Sequence, residues 1–559
     1  MMAPKPALSE LPIKRAETGF YRGFSIDVTV ASKIIISALV VWAIFWPVQA
    51  GETLGDWNTL ILANFAAWYI WAVALFVTVC IGLAIWPAAG RLNLGRPGEK
   101  PDFSNFSWFS MMFSAGIGVG MLTWAVAEPV THFANNPEVI QGLTTGGGAD
   151  NVRMAYKWSF LHWGFGAWSC YAIAGLSMAF FSYRRALPLT IRSSLTPIFG
   201  KVLSGPLGHL IDIVAVVATI LGVAQTLGFG AEQFVAGLTR IGIGGLVNAD
   251  GTTNSSGIVI ALILIMGAST LSALSGVRKG IKWLSNINMF LSIILLGFLI
   301  IFGSTFFGGS ALLFGIWDYV IALPQMSINV WGTDGVEGSE AFLLTQWQGS
   351  WPVFYWAWWI AFAPFVGLFL ARISRGRTIR EFVLGAMFVP SLMCFIWFAW
   401  AGGTAIDLEL NGGANGLILD TANGDKIFAM TAFILAPIGE WLAWGMALLI
   451  VVLLMTFLVT SADSAVLIVN TINAGGDEGP KARPHILFWG AALGLVVVGL
   501  LISGGTEAIK MAMVIGALPF SIVMVLMCFA LVMAIYYDGR REAAGVQTTF
   551  ASDNSMPAG

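Results

Sequence analysis

Charge is what this sequence has least of. Of its 559 residues only 10% are Asp, Glu, Lys or Arg, against roughly 25% in a soluble domain, too few to cover a water-facing surface of this size. The 28 basic and 30 acidic residues leave a net charge of -2, so there is no basic field to draw nucleic acid. Four cysteines, Cys80, Cys170, Cys394 and Cys528, each sit inside an apolar run, and no spacing makes them a disulfide framework or a metal motif. The four histidines, His132, His162, His209 and His485, are equally scattered, and no His-rich metal cluster, nucleophile motif or nucleotide loop can be read. These absences speak against an enzyme and against a bound cofactor. Disorder is excluded by what is abundant instead. Hydrophobic residues make up 57% of the chain and mean hydropathy is +0.81. The class that remains is an all-α membrane protein, its apolar runs long enough for spanning helices.

Twelve such runs are legible, near 28–48, 60–87, 107–128, 154–183, 210–239, 257–275, 284–308, 352–371, 383–404, 438–468, 485–504 and 511–537. The first 26 residues are polar and mixed in charge, with no secretory signal. An even count puts both termini on one side. If that side is the cytoplasm, 23 of the 28 basic residues fall inside, leaving Arg153, Lys157, Arg240, Lys426 and Lys510 outside, as the positive-inside rule requires. The chain then divides into a cytoplasmic segment 1–27, a transmembrane domain 28–537 and a short cytoplasmic tail 538–559. Two outer segments are long and acidic. Residues 309–350 read as too polar to span but long enough for an amphipathic surface helix, and 405–437 as an acidic loop.

Five segments could carry chemistry. In Ser114-Ala-Gly-Ile117-Gly118-Val-Gly120, glycine at every second position weakens the third helix, either to open backbone for a ligand or ion or to let helices pack closely; Glu128-Pro129 then reads as the helix end. Trp351 to Trp359 begins a helix, and Trp351, Trp358 and Trp359 share a face; Trp163, Trp168 and Tyr171 share a broad face of helix four. Singly these rings are interface belts or packing, but together they could enclose a quaternary ammonium, which offers no strong hydrogen bond and is held by aromatic faces. Phe457, Thr460 and Ser461, spaced i, i+3, i+4, present two hydroxyls suited to a hard cation such as Na⁺, unless the hydroxyls bond back to the preceding turn. Asp463, off that face, reads as a bridge to backbone or a neighbouring helix. Arg372, Arg375, Arg377 and Arg380 read as a cytoplasmic anchor and gate.

These motifs resemble one family. The stretch Trp351 to Glu381, with Trp356-Ala-Trp358-Trp359 and Ala371-Arg-Ile-Ser-Arg-Gly-Arg377, looks like the signature of the betaine/choline/carnitine transporters, and Ala115 to Gly120, Glu128-Pro129 and Val459 to Ser464 match it too. The resemblance covers nearly the whole chain. It implies two peripheral helices and two inverted five-helix repeats, about 107–308 and 352–537, in a LeuT-like homotrimer of the inner membrane with segment 309–350 between protomers. By resemblance, Trp163, Trp168, Tyr171 and Trp359 form the box for a trimethylammonium group, with Trp358 at the central site and Gly118 and Gly120 alongside. Ser114, Ile117, Phe457, Thr460 and Ser461 correspond to a Na⁺ site, and Thr219 with Phe365 to a second, although Val223 stands where a sodium-coupled relative has threonine. Phe362 replaces a tryptophan of the family's stretch. Gly120 stands where choline-preferring members tend to carry aspartate, which favours a zwitterion such as glycine betaine or dimethylsulfoniopropionate. The function so implied is Na⁺-coupled symport; the alternative is sodium-independent or proton-coupled transport of betaine, choline or carnitine.

Overall fold

A computed structural model describes residues 6–116, 118–248, 253–275, 280–479 and 481–550. Among these the regular elements are helices, joined by a few isolated bridges. Besides single-turn pieces they are α1 (Ile26–Phe45), α2 (Pro47–Ile85), α3 (Asn105–Gly116), α4 (Val119–Ala134), α5 (Val152–Trp163), α6 (Phe165–Ala179), α7 (Pro206–Arg240), α8 (Ser255–Ser275), α9 (Gly280–Phe302), α10 (Thr305–Met326), α11 (Glu340–Gln348), α12 (Phe354–Ile373), α13 (Ile379–Leu410), α14 (Lys426–Leu435), α15 (Glu440–Asn473) and α16 (Arg483–Ala543).

Among the described residues, 11 helical stretches are long and apolar enough to cross a membrane. They differ from the runs read in the sequence at three places. The run 107–128 is two half-helices, α3 and α4, parted at Gly118 (φ −144°, ψ −134°). α16 counts once, yet Gly504 and Gly505 (φ 70°, ψ −158°) turn the chain inside it, so it holds both 485–504 and 511–537. The third is α10, which lies in a segment read as too polar to span but has a mean hydropathy of 1.6; the polar residues collect in the connection 327–339 behind it. Glu128-Pro129 is not a helix end either. α4 continues through Pro129 to Ala134, since one proline removes a single intrahelical bond and Gly402 of α13 packs against the Pro129 ring.

Lipid is the solvent on the outside. Phe306 (95% exposed) and Leu313 (72%) on α10, and Ile263 and Ile301 on α8 and α9, face outward, as apolar side chains do where no water opposes them. The five basic residues that the charge bias left outside are all engaged: Arg153 with Asp318, Lys157 with Glu138, Arg240 with Asp425, Lys510 with Glu507, and Lys426 with the carbonyls of Ile418, Leu419 and Thr421. On the other side Arg372 pairs with Glu478 and Arg375 with Glu99. Arg377 bonds Asn105 and the Phe103 carbonyl while lying 3.8 Å over the Trp108 ring, and Arg380 bonds the Ala84 carbonyl. The arginine run thus latches the α12–α13 turn to the connection before α3. Thr378 and Glu381 close a capping box that starts α13.

The interior is organised by the crossing of α6 and α12. Gly175 and Gly367 meet there. A Cβ on Gly367 would lie 2.6 Å from the Ala174 Cβ and 2.9 Å from the Gly175 nitrogen, and one on Gly166 would lie 2.7 Å from the Trp356 ring. Only small residues let two backbones approach so closely, and that approach brings Trp168 and Tyr171 beside Trp359. We expect Gly367→Val to destabilise the protein by about 1–3 kcal/mol, the usual cost of overpacking. A thermal melt of the purified variant should show a clear fall in melting temperature; an unchanged melt would refute the crossing.

Candidate functional site

Two helix breaks build the site. The first, at Gly118, sits against α15: a Cβ on Gly118 would be 3.7 Å from the Phe457 ring and 3.9 Å from the Ser461 Oγ. The second is at Gly164 (φ −92°, ψ −141°), between α5 and α6. A Cβ there would strike the Phe160 carbonyl and the Tyr319 hydroxyl, at 2.5 and 2.6 Å. A break frees backbone groups that lipid cannot satisfy. The Phe165 N–H donates to the Tyr319 hydroxyl at 2.8 Å, and the His162 carbonyl accepts from the Trp359 indole at 2.9 Å. The break therefore also orients a box tryptophan.

The aromatic residues do converge. The Trp163 and Trp359 centroids lie 5.0 Å apart, edge to face, Tyr171 and Trp359 6.2 Å, Trp168 and Tyr171 5.5 Å, and Trp358 stacks on Trp359 at 4.9 Å with 11° between planes. All five side chains are buried. Trp163 reaches the group across the Gly164 break, so the shared helical face read through residues 163–171 is not what unites it with Trp168 and Tyr171. Trp351 lies in a π turn, Gly349–Val353, and stands apart from the box, 4.3 Å from the His132 ring. Gly120 lines the box: its Cβ would be 3.0 Å from Trp163 and 3.4 Å from Trp358, so any side chain must displace a ring. Gly118 instead belongs with Phe457 and Ser461. Of the other hydroxyls, Thr460 bonds back to the Thr456 and Phe457 carbonyls, both at 3.0 Å, and accepts from Asn288 of α9 at 3.3 Å. Thr219 bonds back to Ala215 at 2.7 Å; Phe365 packs on Phe362, and α7 and α12 touch at Gly222, against Ala361 and Phe362. Ile117 lies outside the described residues, as does the side chain of Ser114. Asp463 accepts from Ser272 of α8 at 2.5 Å and from Ser464, the helix bridge expected of it.

The residue that sequence reasoning missed is Glu128. Wholly buried on α4, it accepts from the Trp163 indole at 2.7 Å and the Tyr355 hydroxyl at 2.5 Å through Oε2, while Oε1 lies 2.6 Å from His162 Nδ1. With its hydrogen on Nδ1, His162 is a third donor. His132, one turn on, places Nε2 3.4 Å from the same Oε1. Histidines scattered in sequence are thus gathered around one carboxylate. The signal was available: an acid inside a span is a functional candidate by default, and Glu128 and His132 share a face at i, i+4.

A family profile described as "BCCT, betaine/carnitine/choline family transporter" matches residues 27–540. The chain belongs to the betaine/carnitine/choline transporter family. It is 36% identical over 512 residues to the glycine betaine transporter OpuD of Bacillus subtilis, covering 91% of this chain and 94% of that one. It is 35% identical to a probable glycine betaine transporter of Desulfitobacterium hafniense, covering 91% and 97%. It is 36% identical to the osmo-independent choline transporter BetT1 of Acinetobacter baylyi, covering 86% and 88%. As a betaine/carnitine/choline family member it is a multi-pass membrane transporter and not an enzyme, in keeping with the motif resemblance.

Glu128 should be structurally indispensable to this family member. Glu128→Ala leaves the Trp163 N–H and the Tyr355 O–H buried without an acceptor, at about 1–3 kcal/mol for each. A thermal melt should fall well below the parent's. A variant that melts like the parent would show that neither bond matters.

Proposed function

We propose that this chain is a secondary active transporter that imports a zwitterionic methylated onium compound, glycine betaine or dimethylsulfoniopropionate, by Na⁺ symport with alternating access. The observation that carries this reading is the convergence of Trp163, Trp168, Tyr171 and Trp359, with Trp358 stacked on the last. Such a cluster attracts a desolvated cation with no N–H to donate. The Trp163 indole gives its N–H to a carboxylate, which enriches the ring in electron density and strengthens its attraction for a cation. Two relatives are named for glycine betaine and one for choline. Gly120 favours the zwitterion, since no carboxylate stands there to repel the substrate's own.

The Na⁺ reading is supported by the meeting of Ser461 with the α3–α4 break. The last carbonyls of a half-helix lack intrahelical partners, and together with a hydroxyl they offer the oxygen ligands a hard cation takes. Thr460 shares its oxygen with two carbonyls and Asn288, so Ser461 is the stronger ligand of the pair. The second site, at Thr219 and Phe365, has less behind it, because the Thr219 hydroxyl is already bonded to its own helix. We place the protein in the inner membrane as a homotrimer with both termini cytoplasmic; the apolar outer face of α10 suits a protomer contact, and the basic residues cluster on the side of the termini.

Uptake of labelled glycine betaine, dimethylsulfoniopropionate and choline into proteoliposomes tests the function. An inward Na⁺ gradient should drive accumulation of the zwitterions, and replacing Na⁺ with K⁺ should abolish it; equal uptake in both salts would overturn the coupling. In the same assay Thr460→Ala with Ser461→Ala should abolish Na⁺ stimulation, most of the loss coming from Ser461→Ala alone. A double variant with the parent's Na⁺ dependence would move the coupling site elsewhere.

Binding tests the box separately. Trp359→Ala should weaken zwitterion affinity roughly thirty-fold, since cation–π attraction at a desolvated site is worth about 2 kcal/mol. Unchanged affinity in a folded Trp359→Ala protein would sink the assignment.

A further inference from the structure

The carboxylate that steadies the box carries more polar groups than that task needs. Glu128, His132 and His162 are all wholly buried, and one donor atom from each lies within 4.8 Å of the others. The Trp163 and Tyr355 bonds occupy only Oε2 of Glu128. Oε1 faces the two imidazoles, 2.6 Å from His162 Nδ1 and 3.4 Å from His132 Nε2. Both ring nitrogens of His132, and Nε2 of His162, have no hydrogen-bond partner. Buried imidazole nitrogens without partners are uncommon, because burial deprives them of water. Packing explains the position of the His132 ring, which lies 4.3 Å from Trp351 and 5.6 Å from Trp347; it does not explain why two imidazoles converge on one carboxylate oxygen, with His132 Nε2 held only by a 3.4 Å contact.

We propose that Glu128, His132 and His162 form a binding site for a divalent transition cation of the Zn²⁺ type, which fastens α4 to α5 beside the aromatic box. Two imidazoles and one carboxylate are a three-ligand Zn²⁺ set that leaves a fourth position for water. Bonds of about 2.0–2.1 Å in a tetrahedron put ligand atoms about 3.3 Å apart; the two carboxylate–imidazole separations are 2.6 and 3.4 Å, and the two imidazoles offer nitrogens within 4.8 Å of each other. Binding needs no redox or covalent step. The hydrogen on His162 Nδ1 moves to the idle Nε2, freeing the Nδ1 lone pair for the ion. Glu128 Oε1 turns from acceptor to ligand while Oε2 keeps Trp163 and Tyr355. Imidazole ligands suit Zn²⁺, Cu²⁺ or Ni²⁺ rather than Mg²⁺ or Ca²⁺. His132 lies two residues before the end of α4, so the site is within a turn of the connection 135–151 and is covered there by Trp347 and Trp351. Because Tyr355 ties α12 to the same carboxylate, a bound cation resists any parting of α4, α5 and α12. That consequence for transport rests on the function proposed above; the binding itself does not.

The test is a titration of the purified full-length protein with ZnCl₂ alone, followed by calorimetry, and with CoCl₂, followed by visible absorption. One saturable site per chain is expected, with the intense d–d bands of four-coordinate Co²⁺. His132→Ala should weaken Zn²⁺ binding at least tenfold. His132→Cys, which restores a ligand, should regain binding and add a thiolate-to-Co²⁺ charge-transfer band, a result that loss of folding could not produce. His209→Ala, at a half-buried histidine 3.6 Å from Asp27, should bind like the parent. Absence of a saturable site in the parent, equal affinity in His132→Ala, or no recovery in His132→Cys would overturn the site. In proteoliposomes Zn²⁺ should slow uptake by the parent and by His132→Cys and not by His132→Ala at the same concentration; binding without slowing would overturn the fastening. A chain that binds Zn²⁺ but transports no onium compound would overturn the function and leave the site standing.

Discussion

A carboxylate at membrane depth is costly unless donors surround it, and the donors around Glu128 include Trp163 of the aromatic site and Tyr355, which stacks on Trp358 and Trp359. Trp163 comes from α5, Tyr355 from α12 and His162 from the turn before the Gly164 break. Two of the three helices that carry the box rings, α5 and α12, are therefore also the ones that must meet α4 to satisfy one buried carboxyl, while α6 adds Trp168 and Tyr171. Trp163 is held at its N–H and so keeps one orientation toward Trp359; Tyr355 in turn stacks between Trp351 and Trp359 at 6.2 and 5.6 Å. A protein that met the desolvation cost of Glu128 in any other way would not have this box.

Irregular backbone lies just where this carboxylate and its neighbours are. Gly118 interrupts one spanning run, Gly164 another, and a π turn at Gly349–Val353 precedes α12, where Pro352 cannot supply an intrahelical N–H. Within a bilayer such backbone is tolerated only when protein surrounds it. Here the freed groups find partners across helices, as when the His162 carbonyl takes the Trp359 indole and the Tyr319 hydroxyl takes the Phe165 N–H. The same economy applies to Asp463, whose two oxygens accept from Ser272 and Ser464 and so join α15 to α8.

The periphery follows a different rule. Lipid rewards apolar surface, so α8, α9 and α10 expose large side chains outward, while polar contacts retreat to the two ends. At one end the arginines after α12 are tied to Glu99, Glu478, Asn105 and backbone carbonyls. At the other, isolated ion pairs such as Arg153–Asp318 and Arg240–Asp425 neutralise the few cations present. Exposed pairs of that kind contribute little to stability, typically about 0.2–1 kcal/mol each; their effect is to keep stray positive charge quiet on that side.

How much of this the sequence determined depends on how local each feature is. Scarcity of charge and apolar runs of helix length specify an all-α membrane protein, because solvent preference acts on each segment separately. Side-chain type and spacing marked Trp163, Trp168, Tyr171, Trp351, Trp358 and Trp359 as rings that could enclose a cation or serve as packing and interface belts, and the motif resemblance named the family that the comparisons show. Sequence periodicity failed where the helix itself fails: counting 100° per residue through Gly164 assumes a continuity that the backbone lacks, while the alternating glycines around Gly118 did mark a weakened helix. It also failed for α10, where polarity averaged over a long segment hid a spanning helix, whereas the runs 485–504 and 511–537 part where Gly504 and Gly505 turn the chain. Only the tertiary structure gathered Glu128, His132 and His162, which lie up to 34 residues apart, around one oxygen, and only it separated Gly118, against Phe457 and Ser461, from Gly120, against Trp163 and Trp358. Those are decisions about which helix faces which, made by close glycine contacts such as Gly175 with Gly367, and a single chain read residue by residue carries no record of its neighbours across the fold.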